Sequence, residues 1–294
     1  MPVSVPTYKD IALKKRQQRD TQFKKEWLVP ESQLPNANTK DVSTWIEDSG
    51  VLSKSEQEIT SALAETIVEN IKAKKWRAVE VVKAFCHRAS VAHQLTNCLS
   101  EVFFDAAIKQ AEELDLFQKE SGKTLGPLHG LPIAMKDNFN IKGEATTVGI
   151  VNWCFKPKKA TSDSSLVEML RKMGAVFYVK TNVPVAMMMP ETNNHIYGNT
   201  TNPFNRLLSA GGSSGGGAKF YSRAVVDGKP WMYDPKMIQI PWRAPELAPK
   251  LTFAILSDDL QVRPTPPVIR AVSEVRKALV DAGHEVIDWD QQTI

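Results

Sequence analysis

One pattern, a helix that ends at a glycine and is followed by a short apolar strand, occurs twice in this chain and restricts its fold. The first copy is SDSSLVEMLRKMGAVFYV, in which Gly174 ends the helix and residues 175–179 form the strand. The second is TPPVIRAVSEVRKALVDAGHEVIDW, with Gly283 as the stop and residues 285–289 as the strand. Helices that alternate with short apolar strands predict an α/β fold with a largely parallel sheet covered by helices.

Amphipathic and apolar patterns predict the other elements. A helix starts near residues 53–55, where both Ser53–Glu56 and Ser55–Glu58 fit a capping box. Its apolar residues recur at every fourth position: Ile59, Leu63, Ile67 and Ile71. Further patterns predict helices at 79–92 and 105–114 and strands at 131–136 and 251–256.

The net charge of +4 is concentrated at the N-terminus. Residues 1–25 hold seven lysines and arginines against two aspartates, so the rest of the chain is close to neutral. A polar basic segment of this kind is typical of a solvated helix, and an anion-binding arm is the alternative. Nucleic acid is therefore not an expected partner. We expect residues 1–50 to form a basic helix with an extended arm, and residues 51–294 to form one domain.

The sequence has no signature of a membrane or secreted protein. No apolar run reaches the length of a bilayer span, and the chain does not start with a basic segment followed by an apolar one. Three widely spaced cysteines, Cys86, Cys98 and Cys154, include no CxxC pair, which argues against a disulfide framework or a zinc site. We expect a cytoplasmic protein in which Cys86 and Cys98 are small buried hydrophobic residues.

Glycine is concentrated at one place. Five of the 15 glycines lie in residues 211–217, written GGSSGGG. A Gly/Ser run is often a flexible linker. This run follows a strand and the Asn-rich loop NNHIYGNTTNPFNRLLSA, and dense glycine there lets the backbone approach a ligand closely. On the pattern alone, a linker and a site are equally good interpretations.

Lys136 ends the apolar strand predicted at 131–136. A lysine in a desolvated site loses its proton more readily and can act as a base. Taken alone, a lysine at a strand end is more often simply exposed.

Two blocks resemble those of one family. GPLHGLPIAMKDNFNIKG resembles the lysine-bearing block of the amidase signature enzymes, and KTNVPVAMMMPETNNHIYGNTTNPFNRLLSAGGSSGG resembles their serine- and glycine-rich block. The agreement covers about residues 120–217, and the flanking AVVDGKPWMYDP and QIPWRAPEL resemble fungal amidases of the acetamidase type. The resemblance implies the amidase signature fold, with a mixed, largely parallel central sheet covered by helices, and an amide hydrolase.

The resemblance also implies roles for individual residues. The family uses a Ser–Ser–Lys triad, in which Lys136 would be the base and Ser213 the bridging serine that passes the proton. Ser214 would assist through backbone or hydroxyl contacts. Met187 matches a position that contacts the substrate, with a core methionine as the alternative, and His129 shapes the lysine block. The implied substrate is a small linear amide, hydrolysed to acid and ammonia without a metal or organic cofactor.

After Gly217 the chain departs from the family pattern. Family members carry a second glycine-rich turn, G-T-D-x-G-G-S, whose serine is the nucleophile and whose N–H groups form the oxyanion hole. No such turn occurs in this sequence, and none of the later serines Ser222, Ser257 and Ser273 lies in a glycine-rich turn. We therefore expect an incomplete domain, without a block after about residue 217 and without the part beyond residue 294, and an inactive chain.

Three functions stay open at this point. The first is an amidase of the acetamidase type, which the KPW block and the long N-terminal arm favour. The second is a non-catalytic pseudoenzyme or a misassembled gene model. The third is a subunit of a tRNA-dependent amidotransferase, which belongs to the same family. No membrane partner is expected, and a homodimer stays open as the assembly of the chain.

Overall fold

The structure is a computed structural model, and it describes residues 6–155, 160–211, 248–258 and 263–289. The chain divides into two compact units, Met1–Ile240 and Pro241–Ile294. Each unit is described by itself below. Within the described ranges, no helix has both the length and the apolar composition needed to cross a membrane.

Between residues 78 and 181 the first unit alternates helices and strands, as the sequence predicts. Its α-helices are α1 (Tyr8–Asp20), α2 (Trp45–Asp48), α3 (Lys54–Ser61), α4 (Ala64–Lys72), α5 (Ala78–Thr96), α6 (Phe104–Ser121) and α7 (Ser165–Lys172). Its strands are β1 (Leu99–Val102), β2 (Pro132–Lys136), β3 (Val176–Thr181), β4 (Asn193–Asn194), β5 (Gly198–Asn199), β6 (Thr201–Asn202) and β7 (Asn205–Ser209). Single 3-10 turns occur at Lys25–Trp27, Glu31–Gln33, Val151–Trp153 and Val185–Met187.

The main sheet has three strands in the order β1-β3-β2. Strands β2 and β3 run parallel, and β1 runs antiparallel to β3. Because β2 and β3 are parallel and paired from Pro132–Val176 to Lys136–Thr181, their carboxyl ends lie side by side. This mixed sheet and its helices confirm the predicted α/β fold, and the sheet brings Lys136 next to the end of β3.

Gly174 ends α7 as predicted and leads directly into β3. Its φ of +95° is a left-handed conformation that residues with a side chain rarely adopt. The strand runs to Thr181, beyond the predicted 175–179, because its register with β2 continues to Lys136.

Helices α5 and α6 pack against the main sheet and contribute a large part of its core. Phe104 is completely buried and makes edge-on contacts with the rings of Phe23 and Trp27 from the N-terminal segment. Aromatic pairs of this kind stabilise a core beyond the area they bury. The N-terminal arm is therefore part of the core of the first unit.

The helix predicted from Ser53 to Ile71 is two helices, so that prediction is wrong in its continuity. α3 ends at Ser61, and α4 starts after Leu63, whose backbone is extended (φ −65°, ψ 150°). The break turns the chain so that Ile59 and Ile67 are both buried, while Leu63 is left 72% exposed. Burial of two isoleucines by two short helices overrides the regular four-residue spacing.

Helix α1 is not solvated on all sides, which corrects the interpretation of the basic N-terminus as a solvated helix. Lys15 and Arg19 are 1% and 5% exposed. Lys15 Nζ lies 2.7 Å from the Glu101 carboxylate, and Arg19 donates a 2.9 Å hydrogen bond to the Leu99 carbonyl. Both partners belong to β1, at the edge of the described sheet, so the two cations cover that edge. A charge can be buried in this way when it is paired.

The cysteines agree with the expectation that they are not catalytic. Cys86 is completely buried, and burial strongly raises the pKa of its thiol. Cys98 is partly buried and packs against the same core, and burial raises its pKa as well. A buried thiol with a raised pKa holds little reactive thiolate.

The described part of the second unit is one strand–helix–strand motif. β8 (Thr252–Ile255) and β9 (Glu285–Asp288) pair in parallel, connected through α8 (Pro266–Asp281). Pro266 follows the N-cap Thr265, a favourable place for proline, and Gly283 follows the helix with φ +85°. The second copy of the helix–glycine–strand pattern is therefore confirmed.

The stability of the first unit should fall in acid partly through Glu56. Burial raises the pKa of this carboxyl, but hydrogen bonds from His87 and Ser53 outweigh it and leave the pKa below the usual 4.5. A lowered folded-state pKa adds stability above about pH 4.5 that is lost as the pH falls through the folded value. Glu56 also completes the capping box of α3. Glu56→Gln should therefore cost about 1 kcal/mol at pH 7.

Urea unfolding of both proteins at pH 7 and at pH 3.5 checks this expectation. The difference in free energy of unfolding should shrink at the lower pH. A difference of the same size at both values would show that the charge of Glu56 is unimportant.

Candidate active site

Lys136 is the last residue of β2 and stands beside Thr181, the last residue of β3. In parallel sheets, functional groups cluster at the carboxyl ends of the strands. The side chain of Lys136 is half-buried. The structure thus places the predicted base at the end of a strand, where the sequence predicts it.

Asp137, the next residue, is completely buried and fixes the turn at residues 147–149. Its Oδ2 accepts hydrogen bonds from the Thr147 hydroxyl at 2.6 Å, from the Thr147 amide at 3.3 Å and from the Val148 amide at 2.9 Å. Its own amide donates to the Thr181 carbonyl at 3.2 Å. The carboxylate therefore links the ends of β2 and β3 to a turn ten residues further along the chain.

Lys180 completes this arrangement from β3. Its Nζ lies 3.0 Å from Asp137 Oδ1, and both side chains are 0% exposed. The same ammonium group donates to the Ala145 carbonyl at 2.8 Å and to the Thr146 hydroxyl at 2.9 Å. Burial lowers the pKa of Lys180, while the Asp137 carboxylate opposes that effect. The pair is therefore an internal charge clamp next to Lys136.

Backbone strain is concentrated beside the clamp. Val148, Ala186 and Met187 have φ values of +49°, +51° and +60°. For a β-branched residue such as valine this conformation is a true outlier. The three residues are connected, because the Ala186 amide donates a 2.9 Å hydrogen bond to the Val148 carbonyl. Strain of this kind persists only where the surrounding structure enforces it, and it is common at functional sites.

Met187 lies in this strained turn and is 39% exposed. Its neighbours Met188 and Met189 are 83% and 54% exposed. The methionine cluster is therefore not part of the core, and the alternative interpretation of Met187 as a core residue is wrong. Its position on an exposed turn tied to Val148 is compatible with the predicted contact with substrate.

A network of amides and hydroxyls follows the end of β3. Asn182 donates to the Thr200 hydroxyl at 3.0 Å, and Asn194 donates to the Asn182 side-chain oxygen at 2.7 Å. The Thr200 amide donates to the Thr192 carbonyl at 2.9 Å, and the Thr192 hydroxyl donates to the Gly211 carbonyl at 2.9 Å. The network thus fixes Gly211, the first glycine of the GGSSGGG run. Ser213 and Ser214, the two predicted site serines, lie outside the described residues.

His129 has the structural role predicted for it. It is completely buried, and its Nδ1 accepts a 3.0 Å hydrogen bond from the Leu125 amide. Burial lowers the pKa of the imidazole, which keeps the ring neutral. The residue holds the loop that enters β2.

Asp137 and Lys180 are the residues of this region that the sequence interpretation missed. A signal was present for Lys180, because a lysine in the strand VFYVKT is unusual in a buried strand. Asp137 follows a strand and resembles an ordinary turn residue, so its sequence context does not reveal its burial.

Other cavities occur among the described residues of the first unit. One of about 450 Å³ is lined by Lys15 and Glu101, and one of about 550 Å³ lies against α6 near Phe117. Lys136 and Met187 line neither of them. Across the residues that the structure describes, no group of three or more His, Cys, Asp or Glu side chains could hold a metal ion.

Comparison with known proteins identifies sequence relatives over nearly the whole chain. The family model described as Amidase matches residues 80–229. The chain is 34% identical to an acetamidase of Emericella nidulans, covering 96% of this chain and 64% of that protein. It is also 34% identical to an acetamidase of Aspergillus oryzae, covering 96% of this chain and 65% of that protein. The chain therefore spans less than two thirds of the length of these relatives.

The match to the Emericella nidulans protein runs over 359 residues, although this chain has 294. That relative thus has positions inside the aligned region that have no counterpart here.

Solved structures of amide hydrolases share the fold of this chain. The chain superimposes on a fatty acid amide hydrolase with a TM-score of 0.86 and 28% identity, covering 96% of this chain and 62% of that one. A peptide amidase from Stenotrophomonas maltophilia aligns with a TM-score of 0.61 and 19% identity, over 78% of this chain and 62% of that one. At this lower identity the likeness is one of fold.

Proposed function

Since the chain belongs to the amidase family, we propose that it carries the lysine-bearing part of a site for amide hydrolysis, with Lys136 as the base. The observation that carries the proposal is the position of Lys136, at the carboxyl end of a parallel strand and directly before the buried Asp137–Lys180 clamp. The acetamidases among its relatives suggest a small linear amide as the substrate class.

In a family member that also carries the nucleophilic serine, the lysine at the position of Lys136 accepts the proton of that serine. The serine at the position of Ser213 passes the proton between them. The oxygen of the nucleophilic serine attacks the amide carbonyl, the carbon–nitrogen bond breaks, and the leaving nitrogen takes the proton to depart as ammonia. Water then cleaves the acyl-serine ester and releases the acid. Ser214 assists through its backbone or hydroxyl contacts, and Met187 contacts the acyl group. This scheme uses no metal or organic cofactor.

We propose further that this chain does not complete the reaction. The sequence has no G-T-D-x-G-G-S turn, so it lacks the serine that attacks and the N–H groups that stabilise the oxyanion. The aligned region, longer than the chain itself, supports the absence of an internal block. Loss of a nucleophile together with its oxyanion donors leaves at most a small residual rate.

Labelling with a serine-directed fluorophosphonate, followed by intact-mass spectrometry, tests both parts of the proposal. The folded chain should show no adduct, while the Emericella nidulans acetamidase labelled in parallel should show one. Replacing the acetamidase lysine that aligns with Lys136 by alanine should remove that adduct.

Two results would contradict the proposal in different ways. A single adduct on this chain that disappears in Lys136→Ala would show an activated serine, and Ser213→Ala would then test whether Ser213 carries it. An adduct that persists in the acetamidase lysine variant would overturn the assignment of the lysine as base.

A further inference from the structure

We propose that Asp137 is a positioning residue that holds Lys136 and Met187 in a fixed relation through the strained turn at Val148. The inference rests on the proposed function for the roles of Lys136 and Met187. The coupling between them rests on contacts that the structure itself provides.

The first step is the direct connection of Asp137 to the base. Asp137 follows Lys136 in the chain, and its amide donates to the Thr181 carbonyl at 3.2 Å. Its carboxylate is completely buried and anchored by Lys180 and by the turn at 147–149. With both its backbone and its side chain fixed, Asp137 restricts the backbone from which the Lys136 side chain extends.

The second step leads from the carboxylate to Met187. Val148 adopts φ +49°, which is unfavourable for a β-branched residue. Asp137 Oδ2 accepts from the amides of both Thr147 and Val148 and so holds this conformation. The Val148 carbonyl in turn accepts from the Ala186 amide, directly before Met187. One carboxylate therefore determines the turn on which the Met187 backbone rests.

Lys180 has a supporting role in this arrangement. An isolated carboxylate at 0% exposure would be strongly unfavourable, and the ammonium group 3.0 Å away compensates its charge. Lys180 also donates to Ala145 and Thr146, so it holds the same turn from its N-terminal side. Lys180 and the three hydrogen bonds that Asp137 Oδ2 accepts therefore hold the same turn together.

A second buried pair in the same sheet provides a matched control. Lys15 and Glu101 are 1% and 8% exposed at their side chains and lie 2.7 Å apart. Glu101 stands opposite Lys180 in the register of β1 and β3. Its side-chain hydrogen-bond partners among the described residues are Lys15 and Tyr197, and neither belongs to the strained turns. Its charge also interacts with those of Asp137 and Lys180, so the control removes the charges of Glu101 and Lys15 together. If the Asp137–Lys180 pair only stabilised the sheet, its removal should affect Lys136 and Met187 no more than removal of the Lys15–Glu101 pair does.

The experiment follows two NMR signals that do not depend on hydrolysis. One is the ¹³C-dimethylated amine of Lys136, assigned with Lys136→Arg, and the other is the ¹³C-labelled methyl group of Met187, assigned with Met187→Leu. The test variant combines Asp137→Asn with Lys180→Met, which removes both charges together. The control combines Lys15→Met with Glu101→Gln.

Both signals should move from their wild-type positions in the Asp137/Lys180 variant and stay in place in the Lys15/Glu101 control. Unchanged signals in a folded test variant would overturn the proposal, and so would equal displacements in both variants. If the test variant does not fold, Thr147→Val provides a milder probe, because it removes the 2.6 Å hydroxyl hydrogen bond to Asp137 and keeps the shape of the side chain. Thr147→Val should displace the Lys136 and Met187 signals from their wild-type positions. Unchanged signals in this variant would also overturn the proposal.

This result can be separated from the outcome of the labelling experiment. If the acetamidase adduct does not depend on the aligned lysine, the proposed function fails while the coupled NMR signals can still confirm the role of Asp137. If that adduct does depend on the lysine but the signals here do not respond, the positioning role fails alone.

Discussion

Replacing Lys180 by methionine should lower the free energy of unfolding of the first unit by about 3–5 kcal/mol, because it leaves a buried carboxylate without its counter-charge. Both members of the pair are 0% exposed, so water does not compensate Asp137 in the folded state. The variant also removes the donor to the Ala145 carbonyl and the Thr146 hydroxyl. Many proteins have a total stability of only about 5–15 kcal/mol, so this loss is a large part of the stability that the unit is expected to have. Urea unfolding followed by circular dichroism measures the change.

Two further variants separate the charge from the loss of lysine packing. Adding Asp137→Asn to Lys180→Met removes the uncompensated charge and should restore a large part of the stability. Lys172→Met removes an exposed pair with Glu168, whose side chains are 56% and 45% exposed, and should change stability by at most about 1 kcal/mol. A loss below about 1 kcal/mol in Lys180→Met would contradict the claim that Lys180 compensates a buried carboxylate.

Local patterns in the sequence predicted most of the elements, because the forces that determine them act over a few residues. The Ser53–Glu56 capping box marks the start of α3, and Gly174 and Gly283 follow the ends of α7 and α8. The short apolar run at 131–136 likewise predicts that Lys136 ends β2, as it does. It failed at Leu63, since spacing alone does not show that two short helices bury Ile59 and Ile67 better than one long helix.

Interactions between distant residues were not predictable from pattern. Helix α1 has the composition of a solvated helix. Its residues Lys15 and Arg19 are buried only because β1 provides Glu101 and the Leu99 carbonyl as partners. Likewise, Asp137 and Lys180 are 43 positions apart in the chain, and only the parallel pairing of β2 and β3 brings them together. Pairs of this kind depend on topology, which a single sequence encodes only indirectly.

The candidate site depends on the family resemblance for its roles and on the structure for its arrangement. The sequence marked Lys136 and Met187 separately, on two blocks, and the resemblance supplied their chemistry. The structure connects the two blocks through Asp137, Val148 and Ala186, a chain of contacts that neither block reveals by itself. Ser213 and Ser214 stay sequence-based predictions, because they lie outside the described residues.

Gly174→Ala should destabilise the first unit by about 2–5 kcal/mol, through two effects that act together. A left-handed conformation such as φ +95° costs a residue with a side chain about 1–2 kcal/mol. The new Cβ would also lie 2.7 Å from the Cα of His129 and 3.0 Å from its backbone nitrogen, a forced overlap that typically costs about 1–3 kcal/mol. His129 cannot easily move away, since it is buried and its backbone leads into β2.

Gly122→Ala is the matched control in the same unit, because it isolates the cost of the backbone conformation. Gly122 follows α6 with φ +69°, and a Cβ added there would meet nothing within 4 Å. This variant should lose only about 1–2 kcal/mol. Equal losses in the two variants, measured by urea unfolding under the same conditions, would show that the loop at His129 yields to the extra methyl group. The glycine of the first helix–glycine–strand pattern would then be required for its φ angle alone, as the sequence pattern predicts, and the contact between this turn and the lysine-bearing block would not restrict the residue at position 174.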